Sequence, residues 1–154
     1  MAQMVELSKL EQLVGQSLEP GPWLKVEQSD INQFADLTRD HQFIHVDTEA
    51  AKQTPFGGTI AHGFLSLSLL TYLTEAIILA PPNVTMAMNY GFDKVRFLKP
   101  VRTGSEIRAV ATLAAVTDKG DNRLLLTHNI SVEIKGEEKP ALVCEWLSLF
   151  FTAP

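Results

Sequence analysis

A chain of 154 residues, 45% hydrophobic and 20% charged, is long enough for one domain with a substantial core, taken as residues 1–154. Its formal net charge of −5 argues against a nucleic-acid surface, although one anionic ligand at a local basic patch stays compatible with it. The single cysteine, Cys144, excludes an intrachain disulfide framework and fits a reducing, cytoplasmic setting.

The residues from Met1 to Leu7 have no basic stretch followed by an apolar run, so no signal peptide is expected. Ser8-Lys9-Leu10-Glu11 fits a capping box and Gly15 a stop, which predicts a short first helix. After the Pro20-Gly21-Pro22 turn, alternation over Trp23 to Glu27 predicts a strand. Ser29 reads as the N-cap of a helix over Asp30 to Thr38, with Ile31, Phe34, Ala35 and Thr38 on one face. Asp47 reads as the cap of one or two turns over Thr48 to Lys52. Pro55 and Gly57-Gly58 then mark a loop leading into Phe64 to Ala80, the most apolar run in the chain.

Ile60 to Ala80 has almost the length of a membrane span, but His62, Ser66, Ser68, Thr71, Thr74 and above all Glu75 interrupt it. A charge near mid-span is costly, so the run reads as one long helix buried in protein and stopped by Pro81-Pro82. Four strands follow: Thr85 to Leu98 with Gly91 as a bulge, Glu106 to Thr117, Arg123 to Lys135, and Ala141 to Phe151, apolar on both faces. An antiparallel sheet packed on one central helix is an α+β design.

The chemistry concentrates between Asp40 and Gly63. Asp40 and His45 stand five residues apart, ahead of Ala61-His62-Gly63 at the start of the apolar helix. A carboxylate, an imidazole and a positive helix end can serve one small pocket. Taken singly, Asp40 reads as a solvated residue after a helix and His45 as a satisfied, partly buried histidine. Gly63 alone divides evenly between close ligand approach and tight packing. His41-x3-His45 has the spacing of a helical metal pair but lacks the glutamate of His-Glu-x-x-His, so no metal is expected. His128, on the apolar face of a strand, reads as core or interface.

Asp40, Gln42, Phe43 and His45, then His62-Gly63, then Asn89 to Phe97 resemble the MaoC-like dehydratases, which include the R-specific enoyl-CoA hydratases. The family's pattern is Asp-x-Asn-Pro-x-His followed by a His-Gly pair. Gln42 and Phe43 depart from it and bring the chain nearest the branch related to nodulation protein N. The resemblance covers nearly the whole chain. It implies a hotdog fold and a hydro-lyase acting on coenzyme A thioesters in fatty-acid or polyhydroxyalkanoate-type metabolism, with no cofactor.

By that resemblance Asp40 and His45 hold and activate a water, and the Gly63 amide donates to the thioester oxygen. His62 is either an anchor for the loop before the helix or a substrate contact. Thr71 and Tyr72 are the candidates of which one lines the acyl tunnel, with core packing as the competing reading. Arg96, with Lys94, Lys99, Arg102 and Arg108, is a candidate rim for coenzyme A phosphates, against a solvated strand face. A hotdog thioesterase and a non-catalytic acyl-CoA binding module are the competing functions, and an acyl-carrier-protein thioester is a variant substrate. One sheet around one helix leaves an edge and a helix flank to cover, which implies a homodimer or higher homo-oligomer.

Overall fold

The computed structural model describes residues 3–154. In chain order its elements are β1 (Gln3–Met4), α1 (Leu7–Gln12), β2 (Leu24–Lys25), α2 (Gln28–Thr38), α3 (Phe43–Val46), α4 (Thr48–Ala51), α5 (Gly63–Ser68), α6 (Leu70–Leu73), β3 (Leu79–Ala80), β4 (Val84–Phe97), β5 (Glu106–Asp118), β6 (Arg123–Ile134) and β7 (Leu142–Thr152). Five strands form an antiparallel sheet in the order β2-β5-β6-β7-β4, and β1 pairs with β3 in a small parallel ribbon.

Strict alternation places one face of the large sheet inside. Ile107, Ala109, Ala111 and Leu113 of β5 are buried, as are Ile130 and Val132 of β6 and Leu142, Cys144 and Trp146 of β7. The register lines them up in cross-strand rows: Ala109, Val132 and Leu142, then Ala111, Ile130 and Cys144, then Leu113, His128 and Trp146. Leu65, Leu70 and Leu73 of the helical segment pack into the same cluster. A sheet wrapped around one helical segment is the α+β hotdog fold that the sequence implied.

The small side chains of the first two rows admit close approach. The Gly21 amide donates to the Ala109 carbonyl at 2.9 Å, and a Cβ on Gly21 would lie 2.4 Å from the Leu73 carbonyl oxygen. His128 sits fully buried in the third row, and among the described residues neither ring nitrogen has a partner. Burial pushes its pKa down to about 4, so it is a neutral core residue at pH 7.

The helical segment is shorter than the apolar run. It ends at Leu73, with a break at Leu69, and Leu79–Ala80 is drawn into pairing with β1. The hydroxyls of Ser68, Thr71 and Thr74 bond back to the carbonyls of Phe64, Ser68 and Leu70, a competition that loosens and bends helices. Two other expectations shift at their ends. The cap of α2 is Glu27, in a reciprocal capping box with Asp30, rather than Ser29. The helix α1 starts one residue before Ser8, without a side-chain cap. The strand expected over Trp23 to Glu27 shrinks to Leu24–Lys25, and Trp23 lies under the Arg108 guanidinium at 4.5 Å.

Candidate active site

Arg39, in the left-handed region at φ 67°, closes α2 and swings the chain so that Asp40 opens a new segment. Two single-turn helices follow, and the Asp47 carboxylate caps the second by accepting from the amides of Glu49 and Ala50. His45 sits on the first of these turns and is buried. Its Nδ1 lies 2.7 Å from the Ile60 carbonyl. A carbonyl only accepts, so Nδ1 carries the proton and the Nε2 lone pair is left for chemistry. Burial, the largest influence, lowers the His45 pKa, so the neutral ring dominates at pH 7.

His62 is buried behind it. Its Nε2 donates to the Asp40 carbonyl at 2.9 Å, and its ring stacks on that of His45 with centroids 3.7 Å apart. His62 is therefore the anchor for the loop before the helix. It holds Asp40 and supports the His45 ring instead of standing in the cavity wall. The Asp40 side chain is about half exposed, with Oδ2 3.9 Å from His62 Nε2. A carboxylate oxygen of Asp40 and ring nitrogens of His45 and His62 all lie within 4.8 Å of one another.

Three such groups can in principle hold a metal ion. Here the rings are stacked at 24°, and an imidazole lone pair lies in its ring plane, so the two nitrogens do not converge on one point. His41, which has helical metal-pair spacing to His45, instead has its Nε2 2.8 Å from Asp36 Oδ1.

Gly63 opens α5, and its amide has no acceptor among the described residues. With His45 it lines a cavity of about 280 Å³, closed by Ala61, Ser66, Phe97 and Val101. Ser66 was not legible in the sequence, where it reads as one polar interruption of an apolar run. It lies three residues after Gly63, hence on the same helix face, and that spacing was the available signal.

Two candidate residues lie elsewhere. Thr71 lines a separate cavity of about 250 Å³ with Thr74, Trp146 and Ser148. Arg96 is exposed, lines neither cavity, and turns Nη1 onto the Val95 carbonyl. Three other cations of the expected phosphate rim have carboxylate partners: Lys94 with Glu145, Lys99 with Glu137, and Arg108 with Glu133.

A family model described as a MaoC like domain matches residues 9–133. The chain belongs to the MaoC-like dehydratase family. It is 45% identical to Nodulation protein N of Rhizobium meliloti over 146 residues, 94% of this chain and 91% of that one. It is 42% identical to 3-hydroxyacyl-thioester dehydratase Z of Mycobacterium tuberculosis over 139 residues, 90% of this chain and 91% of that one. Among solved structures, the monoamine oxidase regulatory protein from Archaeoglobus fulgidus superposes with a TM-score of 0.80 at 29% identity, covering 100% of this chain and 99% of that one. These relationships make the protein a hydro-lyase of the hydratase/dehydratase kind.

In this MaoC-like dehydratase one of the two departures from the family pattern, Phe43, has a local reason. Phe43, which stands at the family's Pro position, is the first residue of α3. The first helical residue needs no N–H partner, so either residue type fits there.

Proposed function

We propose that this protein catalyses reversible hydration of a trans-2-enoyl-CoA to a 3-hydroxyacyl-CoA, of R configuration by resemblance to the R-specific hydratases. The observation that carries the proposal is the arrangement around His45. Its tautomer is fixed by Ile60, its other nitrogen is free, Asp40 is within 4.8 Å, and the unpaired Gly63 amide faces the same cavity.

Water held between the Asp40 carboxylate and His45 Nε2 gives up a proton as its oxygen attacks the β-carbon. The α-carbon then takes a proton from the same pair. The thioester oxygen gains enolate charge in between, and the Gly63 N–H donates to it. Nothing in this sequence needs a metal or a cofactor. A cytoplasmic setting agrees with Cys144, whose thiol is buried and pushed up to about 11, away from redox chemistry. Among the described residues, no helix is long and apolar enough to cross a membrane.

Crotonyl-CoA hydration and acyl-CoA hydrolysis, assayed side by side in chelator, test the reading. Hydration is expected, with hydrolysis at background. Hydrolysis without hydration would give the site to a thioesterase, turnover of neither would leave a binding module, and loss in chelator with recovery on zinc would overturn the metal-free assignment.

A second copy would cover the edge and the helix flank that the sequence leaves open. The strand β7, apolar on both faces, already lies between β6 and β4. The edge is β4, which exposes Met86, Met88, Tyr90 and Phe97, with Phe64 and Tyr72 exposed on the helical segment. A long apolar edge of this kind is an invitation to pairing, and a homodimer would cover it. Light scattering at micromolar concentration should report a dimer in the wild type and a shift toward monomer in Met88→Lys. A stable wild-type monomer would end the proposal.

A further inference from the structure

Residues 59–61 and 101–103 run together as a two-chain ribbon. The Ala61 amide donates to the Val101 carbonyl at 2.7 Å, the Thr103 amide donates to the Thr59 carbonyl at 3.0 Å, and Ile60 stands opposite Arg102. The first strand of the ribbon contributes Ile60 and Ala61, and the second Val101, to the cavity that holds His45. Thr59, Arg102 and Thr103 line a second cavity of about 230 Å³, completed by Lys52 and the Gly57-Gly58 loop. The two cavities share residues of one ribbon in their walls. The carbonyl that fixes the His45 tautomer belongs to Ile60, the residue opposite Arg102.

The second cavity has the character of an anion site. No carboxylate lines it. Among the described residues the Arg102 guanidinium has no carboxylate or hydrogen-bond partner, whereas the Lys94, Lys99 and Arg108 side chains each have a carboxylate. Lys52 pairs only with Glu49, and both side chains are mostly exposed, so that pair is weak and the ammonium can turn. The Gly58 amide has no acceptor among the described residues, and a Cβ on Gly57 or Gly58 would meet nothing within 4 Å. That backbone is open to close approach by a ligand. Gly57, at φ +69°, holds a conformation that few other residues adopt. Behind the loop, the hydroxyls of Thr59 and Thr103 both meet Gln28 Oε1 and so brace the ribbon against α2.

We propose that Arg102, with Lys52 and the Gly58 amide, binds a phosphate ester on the pantetheine arm of the thioester substrate. The inference rests on the enoyl-thioester reading above. It replaces the five-cation rim expected from the sequence with one unpaired arginine beside the catalytic ribbon. A guanidinium suits the task because its planar fork meets two phosphate oxygens at once. The phosphate belongs either to coenzyme A or to the prosthetic arm of a carrier protein, and both carry a phosphoryl group esterified to the pantetheine 4′-oxygen.

The first test needs no turnover. Titration of 4′-phosphopantetheine into the wild-type protein by calorimetry should show binding, and pantetheine should bind at least tenfold more weakly. Arg102→Glu and Arg102→Gln should abolish that difference, and Arg102→Lys should restore part of it. Equal binding by the wild type and Arg102→Gln, or no preference for the phosphate in the wild type, would overturn the site. The kinetic test compares thioesters. Arg102→Gln should raise KM for crotonyl-CoA by about tenfold or more while kcat and the KM for crotonyl-pantetheine hold. Crotonyl-CoA against a crotonyl carrier protein then separates the two phosphate sources. If the wild type binds 4′-phosphopantetheine but hydrates no thioester, the hydratase reading fails and the phosphate site stands.

Discussion

Asp40→Asn and His45→Gln should each remove most of the crotonyl-CoA hydration, by roughly 10²–10⁴-fold, the usual contribution of a positioned acid or base. The amide keeps the shape of the Asp40 side chain and loses its basicity. Glutamine keeps a hydrogen-bonding group near Ile60 and loses the titrating ring. Since the two groups lie within 4.8 Å and are assigned to one water, the double variant should be little worse than the poorer single one. Additive losses would mean that the residues act on different steps.

Stability divides the two variants. The Asp40 side chain is about half exposed, so Asp40→Asn should melt within a few degrees of wild type. The buried Nδ1–H bond to Ile60 disappears in His45→Gln unless the amide reproduces it, a cost of about 1–3 kcal/mol. Activity is therefore best compared at temperatures where both remain folded. The pH profile adds an independent readout. A depressed His45 pKa keeps the base neutral as pH falls through the ordinary imidazole range, so the acid limb of kcat/KM should lie below about pH 6.5. A folded Asp40→Asn protein with close to wild-type hydration would end the assignment.

The sheet was the most legible part of the chain. Alternation over Leu126, His128, Ile130, Val132 and Ile134 leaves one sidedness only, because a one-residue slip would turn that buried row to solvent. Gly91 marks the irregularity in β4 that its position in the sequence implied. The helical run was less legible, because apolar composition does not say where Ser and Thr hydroxyls will compete for the ladder or that Leu79–Ala80 will find β1. Asp40, His45 and Gly63 could be named from order and spacing. Their grouping could not, since it depends on Ile60 and His62 reaching back across the loop. Arg102 was indistinguishable from Lys94 and Arg108 in the sequence. Only the tertiary pairing of the others with Glu145 and Glu133 sets it apart.

Gly63→Ala should cut turnover by about 10²–10³-fold, the loss typical of one oxyanion donor, while leaving the melting temperature close to wild type or slightly higher. The two effects part company because they come from different neighbours. Gly63 is the first residue of α5, where alanine is the better helix former by up to about 1 kcal/mol. A methyl there would lie 3.0 Å from Phe97 Cδ1, 3.1 Å from Cε1 and 3.2 Å from Cγ. The Phe97 ring is half exposed and packs edge-on to Phe64 with centroids 5.8 Å apart, so it can yield at small cost to the fold. In yielding it disturbs a wall of the His45 cavity, and the methyl itself stands beside the amide that must reach the thioester oxygen. Pairing the change with Phe97→Leu separates these causes. Recovery of turnover in the double variant would trace the loss to the displaced ring. No recovery would trace it to crowding at the amide, as the oxyanion role requires. A folded Gly63→Ala protein with wild-type turnover would reduce Gly63 to a packing residue and leave the enolate charge without its donor.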